Sequence, residues 1–103
     1  MYSRKRRLSS EFTILSILEY LYNNSQNAPV SKFNIVFRTP GIKRQRPDRV
    51  NLMIESLLRN GYIVAIKTSK TTAYQITEGG KMAYEKWVKN FLEFARSATE
   101  NKY

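Results

Sequence analysis

Four positive side chains, Lys43, Arg44, Arg46 and Arg49, fall within the seven residues Lys43-Arg44-Gln45-Arg46-Pro47-Asp48-Arg49, whose proline is a favoured first helical residue. Free backbone N–H groups and the helix dipole already favour an anion at such a point, so the spacing suits phosphate. Arginine can also pair with guanine and glutamine with adenine in a major groove, and Arg44, Gln45, Arg46 and Arg49 have the types for it. Their types permit base reading without demonstrating it. A second basic run, Arg4-Lys5-Arg6-Arg7, stands near the start of the chain and reads as a tail that lies along phosphates. Lys67, Ser69 and Lys70, with Thr68 and Thr71, offer charge and hydroxyl donors to a further stretch of backbone. Lys32 and Arg38 extend the same footprint with less specificity.

Acid–base and metal chemistry find little here. The chain has no histidine and no cysteine, which removes the usual general base, thiolate sites, disulfides and the commonest metal ligand. Its eight carboxylates, Glu11, Glu19, Asp48, Glu55, Glu78, Glu85, Glu93 and Glu100, form no close acid/base couple or Mg²⁺ site. Gly79-Gly80 is an isolated pair and not a phosphate-cradling loop. The expectation is a protein that is not an enzyme, with no cofactor, no metal and no small-molecule substrate.

Charge is divided unevenly along the chain. Residues 1–77 hold 13 Lys and Arg against 4 Asp and Glu, whereas residues 78–103 hold 5 against 4, so the positive charge belongs to the first part. That part is suited to a polyanion. With 42% hydrophobic and 13% aromatic residues the chain is apolar enough to fold despite a net charge of +10. Its 103 residues allow one domain with a modest core, a size that often gains stability by oligomerising. No apolar run approaches the roughly 18 residues of a membrane span, and Met1 to Ser10 lacks the apolar segment of a secretory signal. A cytoplasmic protein with no membrane partner is expected.

The elements that must position these residues follow from periodicity and capping. Residues 1–9 read as a flexible basic arm. Ser10 is placed to cap a first helix in which Phe12, Ile14, Leu15, Ile17, Leu18 and Leu21 recur with helical period. Ser31 is placed to cap a short second helix, with Val30 and Ile35 as a hydrophobic staple, and Thr39-Pro40-Gly41 ends it. A third helix is expected from Pro47 to Asn60, with Gly61 as its left-handed cap. Two β-prone runs, Tyr62 to Ile66 and Thr71 to Ile76, read as a hairpin, in which Tyr62 and Tyr74 are packing residues. Thr77 is placed to cap a last helix, whose Gly80 needs a packing reason because glycine weakens a helix.

This order is that of a winged helix-turn-helix domain, α+β but mostly α, with three helices, a β-hairpin wing and a long C-terminal helix. Leu57-Leu58-Arg59-Asn60-Gly61-Tyr62-Ile63, followed by Tyr74-Gln75-Ile76-Thr77-Glu78-Gly79-Gly80-Lys81, resembles a passage common in small prokaryotic winged helices. Within that group the chain resembles the Sso-ten-a family, small basic DNA-binding nucleoid proteins of Sulfolobus and its relatives. The resemblance covers most of the chain after the arm. It implies a homodimer held by an antiparallel coiled coil of the C-terminal helices, and archaeal chromatin binding to double-stranded DNA with little sequence preference. It also implies that the helix from Pro47 to Asn60 and its preceding turn form the recognition element, with Lys67 to Thr71 as the wing. Asp48 and Glu55 depart from a simple DNA-reading helix, which favours contact by its N-terminal end.

The last helix carries the assembly. Tyr84, Trp87, Phe91, Phe94 and Ala98 follow at steps of 3, 4, 3 and 4, the spacing of a coiled-coil seam, and Val88, Leu92 and Ala95 widen the apolar face. The division is then an arm at 1–9, a DNA-binding domain at 10–76 and a dimerisation helix at 77–103. A dimeric architectural DNA-binding protein of the nucleoid is the leading expectation. A sequence-specific transcription regulator on the same scaffold is its near rival, and an RNA-binding or protein-interaction module stands as a different class.

Overall fold

The computed structural model describes the backbone from Tyr2 to Glu100 and the side chains from Glu11 to Thr99. Its elements run α1 (Tyr2–Asn24), β1 (Val30–Ser31), α2 (Lys32–Arg38), a 3₁₀ turn (Ile42–Arg44), α3 (Pro47–Arg59), β2 (Ile63–Lys67), β3 (Thr72–Ile76) and α4 (Glu78–Glu100). Strands β1 and β2 both pair antiparallel with the central β3, with Val30 opposite Tyr74 and Ala65 opposite the same residue on the other side. Three helices and a β-hairpin wing make a winged helix-turn-helix, extended by a long fourth helix.

Capping residues set most boundaries. Ser31 accepts the Asn34 N–H at 3.1 Å and so opens α2. Thr39 closes it, its N–H donating to the Ile35 carbonyl. After α3, Gly61 takes a φ of 77°, the Gly61 N–H donates to Leu58 and the Tyr62 N–H donates to Leu57. These are the two bonds of a Schellman termination, which requires the left-handed residue that glycine supplies.

Two expectations about α1 change. The helix begins at Tyr2, so Ser10 lies inside it and does not cap it. No glycine or proline interrupts residues 2–10, and arginine, lysine and leucine there have high helix propensity, so nothing stops the helix at Ser10. The backbone of the expected arm is therefore helical from Tyr2, and the side chains of Arg4, Lys5, Arg6 and Arg7 lie outside the described ones. The buried face is also rotated: Thr13, Ser16, Ile17, Leu18 and Leu21 point inward, whereas Phe12 is 64% exposed.

The core forms where α1, α2, α3 and the sheet meet, from Ile17, Leu21, Ile35, Ile42, Val50, Met53, Ile54, Leu57, Ile63 and Ile76 among others. Tyr62 and Tyr74 pack against it partly buried, as expected of packing residues. Ser25 fastens α1 to the sheet, its hydroxyl donating to Leu21 at 2.7 Å and accepting the Ile76 N–H at 2.9 Å. Buried polar atoms need such partners, since leaving one unpaired costs about 1–3 kcal/mol.

The wing meets α4 at Thr77. Its N–H donates to the Tyr62 carbonyl and its hydroxyl to the Gly61 carbonyl, while the same hydroxyl oxygen accepts the Gly80 N–H. A Cβ at Gly80 would overlap the Tyr62 carbonyl oxygen and come within 2.7 Å of Ile76 Cγ1. That close approach is the packing reason for a glycine in the first turn of α4.

Candidate nucleic-acid interface

The basic cluster stands on a rigid base. Gly41, at φ 79°, turns the chain out of α2, and Ile42 is buried, so the 3₁₀ turn is pinned by one apolar side chain. Its backbone is tied by Ile42 to Thr39 and by Gln45 to Ile42, and Arg46 then becomes the N-cap residue of α3. Lys43, Arg44 and Arg46 are exposed around this turn. Arg46 Nε lies 3.6 Å from Asp48 in a solvent-exposed pair, which is worth little energetically and leaves the guanidinium open to an anion. Arg49, also exposed, follows in the first turn of α3.

Gln45 is placed differently from its expected role. Its amide donates to Thr13 Oγ1 at 3.2 Å and the residue is half-buried, so it braces the turn against α1. The outward face of α3 carries Asp48, Asn51, Leu52, Glu55 and Arg59, all exposed at helical spacing. Two of these five are acidic, so the positive charge lies at the start of the helix and not along it.

Lys32 is brought to α3 by donating to Asn51 Oδ1, which joins the starts of the second and third helices. Arg38, also exposed, lines a cleft of about 580 Å³ with Tyr20, Asn24, Ser31 and Asn34. In the wing, Lys67, Ser69 and Lys70 are exposed at the hairpin end. Thr68 holds that loop, its backbone N–H and hydroxyl both donating to the Thr71 carbonyl while its hydroxyl oxygen accepts the Thr71 N–H. The wing lysines thus project from a closed turn.

The hydrogen bonds that tie α4 to α1 among the described residues lie near its start. Tyr22 donates to Glu85 at 2.5 Å and Tyr84 donates to Glu19 at 3.0 Å, and the two tyrosine rings lie 4.6 Å apart. The Glu85 hydrogen bond, then burial and the nearby negative charge, hold the Tyr22 phenol above the ordinary tyrosine pKa. Burial first, then the Glu19 bond, raises Tyr84. These ties across the chain had no periodic signal in the sequence. Beyond them the rings of Tyr84, Trp87 and Phe91 succeed one another at 6.4 and 5.6 Å. Phe91 is 52% and Phe94 70% exposed, with Trp87, Leu92 and Ala98 also exposed, whereas Tyr84, Val88 and Ala95 are half-buried. Val88 and Leu92 edge a cleft of about 590 Å³ beside Tyr22 and Asn23 at the end of α1.

Sequence reasoning missed Phe33 and Phe37 on α2, which are exposed with their rings 5.6 Å apart. The i, i+4 spacing was visible, but a seven-residue helix is too short for periodicity to say which face turns outward.

Among the described residues, no three or more acidic side chains gather where they could hold a metal, and no helix is long and apolar enough to cross a membrane.

No model of a known protein family matches the chain, and no curated protein matches it by sequence. Solved structures do match in shape. One is TA0346 of Thermoplasma acidophilum, a protein assigned as a transcriptional regulator, with a TM-score of 0.65 at 19% identity over 92% of this chain and 93% of that one. Another is the Staphylococcus aureus MepR–DNA complex, with a TM-score of 0.65 at 17% identity, covering 98% of this chain and 87% of MepR. SSV1 F-93 follows with a TM-score of 0.58 at 13% identity over 80% and 91%. At these identities the likeness is one of fold.

Proposed function

We propose that this chain binds double-stranded DNA as a homodimer, chiefly through phosphate contacts and with little sequence preference, as a small nucleoid protein of the Sso-ten-a kind. The observation that carries this reading is the placement of charge. Exposed Lys43, Arg44 and Arg46 surround the start of α3, where the helix dipole favours anions, while the helix's outward face carries Asp48 and Glu55. Lys32, Lys67 and Lys70 extend the footprint along a backbone, and Gln45 is turned inward. The likeness in shape to a protein solved on DNA supports it. Phosphate contacts of this kind give nonspecific dissociation constants of roughly 10⁻⁴ to 10⁻⁶ M at physiological salt.

Dimerisation is supported by the exposed stripe on α4, a helix of 23 residues and so roughly 34 Å long, most of whose aromatic side chains the rest of the chain leaves uncovered. Two such helices paired antiparallel would put one winged domain at each end of a rod. That spacing is close to the 34 to 36 Å of one helical turn of DNA. A cytoplasmic, non-enzymatic protein follows from the same reading.

A sequence-specific regulator is the second reading, favoured by the likeness to TA0346. Affinities for a panel of random duplexes decide between them. A spread of about tenfold fits the architectural reading, and a preferred site about a thousandfold tighter fits regulation.

A further inference from the structure

No carboxylate occurs between Glu19 and Asp48, and this acid-free stretch builds the end of α1, β1, α2 and the 3₁₀ turn. Its surface presents Lys32, Lys43 and Arg44, and on α2 it also presents Phe33 and Phe37, exposed by 71% and 59%. The two rings are nearly parallel, at 8° and 5.6 Å between centroids, and Lys43 Nζ lies 5.4 Å from the Phe37 centroid. The helix that carries them is held at both ends by Ser31 and Thr39 and in the middle by buried Ile35, so the rings are presented on a fixed frame. An adjacent ammonium over a ring is itself attracted by the ring face, which keeps a cation beside the aromatic pair.

Flat aromatic rings with an ammonium beside them match a ligand that has a flat face of its own and a negative charge close to it. A protein partner would have to bring carboxylates and apolar side chains together at this spacing, whereas every nucleotide carries both features covalently. Bases inside a duplex are already stacked, so the base concerned has to be unpaired. We propose that Phe33 and Phe37 form a stacking platform for unpaired bases of single-stranded nucleic acid, with Lys32, Lys43 and Arg44 on the neighbouring phosphates. This rests on the nucleic-acid reading above and extends it from the duplex backbone to exposed bases.

The test compares fluorescein-labelled oligo-dT and oligo-U of about 15 nucleotides with a random duplex, titrated against the full chain and against Phe33→Ala, Phe33→Leu and Phe33→Tyr. A base stacked on an aromatic side chain is worth a loss of roughly 5- to 150-fold on truncation. Phe33→Ala and Phe33→Leu are expected to lose single-strand affinity by that order, Phe33→Tyr to keep it, and all three to bind the duplex as the parent does. Leucine keeps the apolar bulk without the ring face, so a Leu variant that binds single strands as well as the parent overturns stacking and leaves an apolar docking face. An Ala variant with undiminished single-strand affinity, or equal losses on duplex and single strand, overturns the proposal as well. A parent chain that binds duplex but no single strand defeats this inference alone, and one that binds neither defeats the DNA-binding reading with it.

Discussion

Replacing Gly80 with alanine should destabilise the fold, although alanine is the better helix former by about 1 kcal/mol. The added Cβ would overlap the Tyr62 carbonyl oxygen and press on Ile76 Cγ1, and the first of these is backbone that cannot rotate away. Overpacking of this kind costs about 1–3 kcal/mol. Moving α4 outward would also strain the Thr77 cap, whose hydroxyl donates to Gly61 and accepts from Gly80, and a lost cap costs about 0.5–2 kcal/mol. After the propensity gain, the net loss is about 2 kcal/mol. For a domain of this size that lowers Tm by roughly 8–16 °C. Gly79 is the control, since a Cβ there meets the Gly61 carbonyl oxygen and Thr77 Oγ1 at an ordinary 3.6 Å, so Gly79→Ala should be neutral or slightly stabilising. Thermal unfolding followed by circular dichroism reads both variants. A Gly80→Ala chain as stable as the parent would refute the close approach between the start of α4 and the Tyr62 backbone.

Substituting Phe91 with Asp puts a charge into the middle of the proposed seam and should convert dimer to monomer by sedimentation, while each winged domain keeps weak DNA binding. A folded Phe91→Asp chain that remains dimeric removes this stripe as the interface. Tyr22 and Tyr84 are both raised above the ordinary tyrosine value, so their contribution is fully present below about pH 10 and is lost as pH climbs through the folded values. Urea unfolding should therefore show an alkaline decline that the double Tyr22→Phe, Tyr84→Phe variant lacks, and identical profiles would refute those ties. Deleting residues 1–7 should weaken duplex binding at low salt and flatten its salt dependence modestly; unchanged affinity removes the first basic run from the footprint.

What the sequence made legible was local. Ser31, Thr77 and Gly61 act at short range, through a cap or a φ angle, so residue type and position sufficed for their roles. Gly80 was legible as an anomaly, a helix-weakening residue at a helix start, and the partner it makes room for came only with the fold. Strand β1 was not legible, because two residues, Val30 and Ser31, are too few to show a period and their pairing with β3 depends on chain folded far away. Phe12 reads as core on a helical stripe, yet a stripe as wide as that on α1 does not say which edge faces inward; Thr13, holding Gln45, takes the inner position. Within the candidate site, the basic run before α3 was visible as charge. That Gln45 turns inward, that Arg38 lines a cleft with Tyr20 and Asn24, and that Phe33 and Phe37 stand exposed are consequences of packing, which no spacing rule encodes.

The turn before α3 is the proposed point of contact between this protein and DNA. Neutralising Lys43, Arg44 and Arg46 together and measuring duplex affinity across a range of salt concentrations tests it most directly. Each phosphate contact contributes about −0.9 to the slope of log affinity against log salt, so the slope should become shallower by up to about 2.7 per site, with the fold intact. A folded triple variant whose slope and affinity equal those of the parent would contradict the account.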